Sequence, residues 1–135
     1  MGLFKNDCAI GVCEPQRTQG LLTDVAQGDH TLIKLTGPGT FVSASITKQG
    51  GGAGLTFVKM DIDGRNVVNL SYEAAANVGY NQPNNYGLVL LDHDPIRNLT
   101  IGFPVLLTYK RSLTISVTVQ ESGVAQILAN VIHGK

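Results

Sequence analysis

Leu113-Thr-Ile-Ser-Val-Thr-Val-Gln120 decides the fold class of this chain. Leu113, Ile115, Val117 and Val119 alternate with Thr114, Ser116, Thr118 and Gln120. A period of two sends the aliphatic side chains to one face and the hydroxyls to the other, the signature of a half-buried antiparallel strand. The β-branched residues reinforce it, because they pack well on a pleated surface.

The same alternation recurs on either side of this stretch, and no helical period of comparable length does. Residues 31–36 read as a first strand, closed by the turn residues Gly37-Pro38-Gly39. In residues 41–48 the pattern places Val42, Ala44 and Ile46 inward and Ser43, Ser45 and Thr47 outward. Gly50-Gly-Gly-Ala-Gly54 then reads as a mobile hairpin tip, and residues 55–62 as a strand with Val58, Met60 and Ile62 on the core side. Asp63-Gly64 is a tight-turn signal, since both residues tolerate positive φ, and residues 67–72 return from it. The three strands 41–48, 55–62 and 67–72 are expected to form a meander. Ala74-Ala-Ala76 suits one helical turn, stopped by Asn77 and Gly79. Residues 92–98 read as a loop between strands at 87–91 and 99–103, and residues 105–109, 113–120 and 124–132 complete eight to nine strands. Regular spacing of this kind predicts an all-β, antiparallel, jelly-roll-like sandwich. Residues 1–29 carry no sustained period, so an irregular N-terminal arm is expected over 1–29 and the sandwich over 30–135.

Composition sets the remaining bounds. The 135 residues suit one domain, and 43% hydrophobic residues supply a core. Charged residues make up only 15%, below the roughly 25% of an average globular chain, so hydroxyls and amides solvate much of the surface. Lys and Arg number 10 and Asp and Glu 10, a balance that argues against a nucleic-acid partner and gives no reason for a membrane one. Met1-Gly-Leu-Phe-Lys5 lacks the apolar core of a secretory signal, and no run approaches a membrane span. In that setting Cys8 and Cys13 are expected to be free thiols.

Several patterns resemble chemistry and fall short of it. Asp61-Ile-Asp63-Gly-Arg-Asn66 opens like a calcium loop, but Asn66 and Tyr72 stand where Gly and Glu are required. Asp92-His93-Asp94 offers three possible ligands in one loop, with no partner at metal spacing. The glycine run lacks the Lys-Ser/Thr and helix of a phosphate loop. His30, His93 and His133 share no spacing rule, and no nucleophile motif accompanies them. No catalytic residue, cofactor or metal site is expected. The one candidate ligand or interface loop is Tyr80, Asn81, Asn84, Asn85 and Tyr86, with Tyr72 also nearby in sequence. Tyrosines beside amides suit stacking and hydrogen bonding to a glycan, or burial in a subunit contact.

The runs Gly37-Pro-Gly-Thr-Phe-Val-Ser-Ala-Ser-Ile-Thr47 and Leu55-Thr-Phe-Val-Lys-Met-Asp-Ile-Asp-Gly64, joined by the glycine-rich tip, resemble small structural proteins of tailed bacteriophages. Thr100-Ile-Gly-Phe-Pro104 followed by residues 110–119 is similar to them too, and the resemblance spans roughly residues 36–132. It implies a virion component, such as a capsid decoration protein or a tail or fibre part, made in the host cytoplasm. It also implies a homo-oligomer, a trimer first, partnered by other virion proteins. No site residues carry over from it.

Overall fold

The computed structural model describes residues 12–93 and 95–135. They form two packed antiparallel sheets, with ten strands and one short helix. The strands are β1 (Gln16–Val25), β2 (Gly28–Thr36), β3 (Gly39–Gly50), β4 (Thr56–Ile62), β5 (Arg65–Ser71), β6 (Leu88–His93), β7 (Ile96–Ile101), β8 (Leu107–Tyr109), β9 (Ser112–Val119) and β10 (Val124–Gly134). The helix α1 (Tyr72–Asn77) lies between β5 and β6. One sheet runs β1-β10-β3-β7-β6, with β8 also paired to β3, and the other runs β2-β9-β4-β5. The pairing is nested: β1 lies against β10 and β2 against β9.

The deciding stretch behaves as its alternation requires. Leu113, Ile115, Val117 and Val119 of β9 are all buried, and Thr114, Ser116 and Thr118 are partly exposed on the other face. Opposite them, Ile46, Leu99, Ile101, Ile127, Ala129 and Val131 line the inner face of the second sheet. Two inner faces of this kind interdigitate into one core, each side chain burying apolar area worth about 25 cal/mol per Å². Asp63 and Gly64 have φ of 52° and 81°, the doubly left-handed backbone that joins β4 to β5 in register with strand twist. Ser71 caps α1, its hydroxyl accepting from the Ala74 N–H at 3.0 Å, so the helical turn expected at Ala74–Ala76 forms.

Four expectations are corrected. The irregular arm expected over 1–29 does not hold within the described part. Gln16–Val25 is an edge strand paired along its length with β10, and β2 begins at Gly28. Its sequence, QRTQGLLTDV, hides this because an edge strand needs little apolar alternation. Residues 1–11 lie outside the described residues. The meander also fails: β3 belongs to one sheet and β4–β5 to the other, so the glycine-rich segment between them is a crossover rather than a hairpin tip. Val42 is not a core residue. The register slips between Ile132↔Ser43 and His133↔Phe41, and this bulge flips the parity so that Phe41 is buried in its place. Much of the loop expected over 92–98 is strand as well, since β6 runs to His93, β7 begins at Ile96, and the two pair as far as His93↔Ile96.

Val117 is completely buried at the centre of β9. Val117→Asp is therefore expected to abolish folding, because an unpaired carboxylate there costs several kcal/mol, a large share of a domain's stability. Soluble yield and the thermal melt followed by circular dichroism check this. A soluble variant with a cooperative melt would refute the strand's placement.

Candidate functional site

The tyrosine–asparagine loop follows α1 and leads into β6. Tyr80 is half-buried, and its carbonyl accepts from the Leu90 N–H at 2.7 Å, which ties the loop to the sheet. Tyr86 is 70% exposed. The two rings meet at 5.8 Å between centroids and are tilted by 47°. Beside them an open hollow of about 260 Å³ is walled by Val67, Leu70, Leu88 and Phe103. Asn84 is spent on local structure: its amide donates to the Leu88 carbonyl at 2.7 Å and its oxygen accepts from the Tyr86 N–H at 2.8 Å. Asn81 and Asn85 are exposed. Tyr72, grouped with this loop by sequence, lies instead in the core, because it opens α1 on the helix's buried side. The loop thus brings an aromatic ledge together with an apolar hollow.

The other polar patterns of the sequence lie at separate places in the fold. Asp92 and His93 are exposed at the end of β6, and Asp94 lies outside the described residues. His30 bonds the Ala26 carbonyl, and His133, nearly buried, bonds the Thr18 hydroxyl at 2.7 Å. Burial pushes the His133 imidazole below its ordinary pKa, which favours its neutral form. Among the described residues no three His, Cys, Asp or Glu side chains gather as a metal would need. Cys13 is disulfide-bonded, which corrects the free-thiol expectation for that residue. That expectation rested on compartment, which says nothing about local geometry. Cys8 lies outside the described residues.

Sequence reading misses a buried ion pair. Lys48 continues the inward parity of Ala44 and Ile46, so its side chain enters the core at the end of β3. Its Nζ donates to Glu121 Oε2 at 2.9 Å, with side-chain exposures of 1% and 3%. It also donates to the Gly51 carbonyl at 3.0 Å and lies 5.4 Å from the Tyr72 ring centroid. Glu121 accepts in addition from Thr56 Oγ1 at 2.6 Å and from the N–H groups of Gly54 and Ala53. Tyr72 closes the cluster by donating to the Ile46 carbonyl at 2.8 Å. The crossover expected to be mobile is therefore held at several points. Gly54 has a φ of 68°, a left-handed backbone that favours glycine. Burial pushes the Glu121 carboxyl up, but the Thr56 and Lys48 hydrogen bonds, the Lys48 charge and the Gly54 amide outweigh it and hold the carboxyl below its ordinary value. Inward parity at a cationic position is the signal that could have revealed the pair.

At the opposite end of the sandwich Asp63 caps a turn. Its carboxylate accepts from the backbone N–H groups of Lys110, Arg111 and Ser112 at 2.9, 2.7 and 3.0 Å. Those amides hold its pKa at about 2. Arg111 returns the contact, donating to the Asp63 carbonyl at 3.0 Å.

Neither a protein-family model nor a curated protein matches the sequence. In structure, the chain is similar to one in the acid-stable capsid of Helicobacter pylori bacteriophage KHP30. The likeness covers 91% of this chain and 89% of that one, with a TM-score of 0.53 and 12% sequence identity. It establishes a shared fold, the all-β sandwich.

Two predictions follow from the charged groups. Glu121→Ala leaves the Lys48 ammonium buried without a counter-charge and is expected to destabilise the fold by about 3–5 kcal/mol, read as a lower denaturant midpoint at unchanged m value. Because the Glu121 and Asp63 carboxyls are both depressed in the folded state, their stabilisation is complete above their ordinary values of 4.5 and 3.8. It is lost as pH falls through the folded values. A pH series of chemical melts should show stability falling below about pH 4.5, with a shallower fall in Glu121→Gln.

Proposed function

We propose that this chain is a non-enzymatic structural protein of a bacteriophage virion, a capsid decoration or cement protein or a tail component. It would act by self-association and by binding other virion subunits. The observation that carries this reading is the fold shared with a bacteriophage capsid chain over nearly the whole length of both. The nested order, first strand against last and second against ninth, supports a jelly-roll winding. The fate of the polar groups agrees with a scaffold role. Lys48, Glu121, Asp63 and His133 are each engaged in structural bonds. Apolar side chains that reach solvent, such as Val105 at 68% and Leu91 at 63% exposure, supply contact area.

Gradient-purified particles analysed by quantitative mass spectrometry test the reading. A fixed copy number relative to the major capsid protein is the expected result. Abundance in the lysate with absence from particles would overturn it.

A second reading rests on the aromatic ledge. Tyr86 presents its ring beside Tyr80 and a hollow of about 260 Å³, an arrangement suited to stacking on a sugar. Glycan-array binding by the parent and its loss in Tyr86→Ala would make this a carbohydrate-binding sandwich. An array without signal would remove that reading.

A further inference from the structure

The chain is neutral as a whole, and among the described residues all its charges but Lys59 are divided between the two ends of the sandwich. Strand register fixes which residues share an end. Gly28, Val119 and Thr56 occupy one terminal row, while Thr36 with Ser112, and Ile62 with Leu113 and Arg65, occupy the other. Asp24, Asp29, Glu73, Asp92 and Glu121 lie at the first end, against Lys48 and Arg97. At the second end Arg17, Lys34, Arg65, Lys110, Arg111 and Lys135 outnumber Glu14, Asp61 and Asp63. A formal net charge of zero therefore conceals an acidic end and a basic end among the described residues.

Pairing within each end decides which charges are available. Glu121 is spent on Lys48. Arg97 is shared by two carboxylates, Asp92 at 3.2 Å and Glu73 at 3.8 Å, so negative charge remains in excess there. Asp24 stands exposed beside the β1–β2 turn, and Asp29, just past it, accepts from the Thr118 hydroxyl. At the basic end both Asp63 oxygens are taken by backbone N–H groups. Arg65, Lys110 and Arg111 form no ion pair among the described residues. They surround an open hollow of about 500 Å³ that Ile62, Thr108 and the amide-bonded Asp63 also line, three cations against one carboxylate. The Asp63 cap and the Arg111-to-carbonyl bond hold this surface in one shape.

We propose that the hollow lined by Arg65, Lys110 and Arg111 receives the Asp24–Asp29 turn of a second copy of this chain, so that copies join head to tail. The proposal rests on the structural reading above and names the surfaces that would carry self-association. A second copy suits the hollow better than a polyanion does. A nucleic-acid backbone needs a continuous cationic track, whereas this is one compact hollow whose wall also holds Ile62 and the Asp63 carboxylate. Its acidic counterpart is present on the same molecule at the opposite end. A contact between unlike surfaces is heterologous: it closes into a ring where the rotation per copy divides a full turn and otherwise extends into a filament.

Sedimentation velocity and native mass measurements on the full chain test this. The parent is expected to self-associate at low salt. Its association should weaken about tenfold or more between about 0.1 M and 1 M salt, as the screening length falls from about 10 Å to 3 Å. Arg65→Glu with Lys110→Glu gives a molecule with two acidic ends, and Asp24→Lys with Asp29→Lys one with two basic ends. Each double variant should keep a cooperative melt, lowered in the Asp24→Lys, Asp29→Lys variant by the positive φ at position 24 and the lost Thr118 bond, and stay at monomer mass, and an equimolar mixture should regain association. A parent that remains at 14.3 kDa in low salt overturns the proposal. So do double variants that associate as the parent does, or a mixture that stays monomeric. Any of these with the chain still present in purified particles sinks the contact alone. Absence from particles sinks the structural reading itself.

Discussion

A lysine ammonium and a glutamate carboxylate, both withdrawn from water, hold the two sheets in relation to each other. Lys48 belongs to one sheet, Thr56 begins a strand of the other, and Glu121 in the β9–β10 connection bonds both. The desolvation of such a pair is repaid only when every donor and acceptor is used. Here the carboxylate collects four donors, the ammonium gains a carbonyl and a tyrosine face, and among the described residues no buried side-chain polar atom lacks a partner. Apolar packing supplies the driving force for folding. The ion pair fixes how the chain passes from one layer to the next, since a slip of one residue in β3 would carry Lys48 to the outer face and leave Glu121 buried alone.

The same cluster explains why a run of glycines ends in a defined shape. Gly51, Ala53 and Gly54 each give a backbone group to the pair, and Glu73 at the start of α1 donates its N–H to the Gly54 carbonyl at 2.9 Å. The crossover thus positions the helix, and the helix leads directly into the tyrosine–asparagine loop. The geometry of that exposed ledge is inherited from charges buried on the far side of α1.

Some of this was legible in the residues and some was not. The β9 alternation, the Asp63-Gly64 turn and the Ser71-capped helical turn depend on neighbours in sequence, and each appears where local physics puts it. Phe41 and Val42 exchange roles because of a bulge set by the partner strand, which sequence periodicity does not encode. Strand β1 was missed because its pairing partner lies more than a hundred residues away, as the Gln16↔His133 register shows. Of the five loop residues picked from sequence, the tyrosines do meet at a hollow, while Asn84 turns inward to hold the backbone. The Asp63 cap on Lys110–Ser112 joins segments distant in sequence, and the residues around Asp63 read only as a turn.

Pairing the first strand with the last also imposes an order in time. While the chain is being synthesised, β1 has no edge to join until β10 has emerged from the ribosome, and β2 must wait in the same way for β9. Loop closure over such distances is entropically costly before any contact rewards it, so this topology belongs with the slower-folding architectures. The outer edges of β1 and β2 thus find their partners only through contacts distant in sequence.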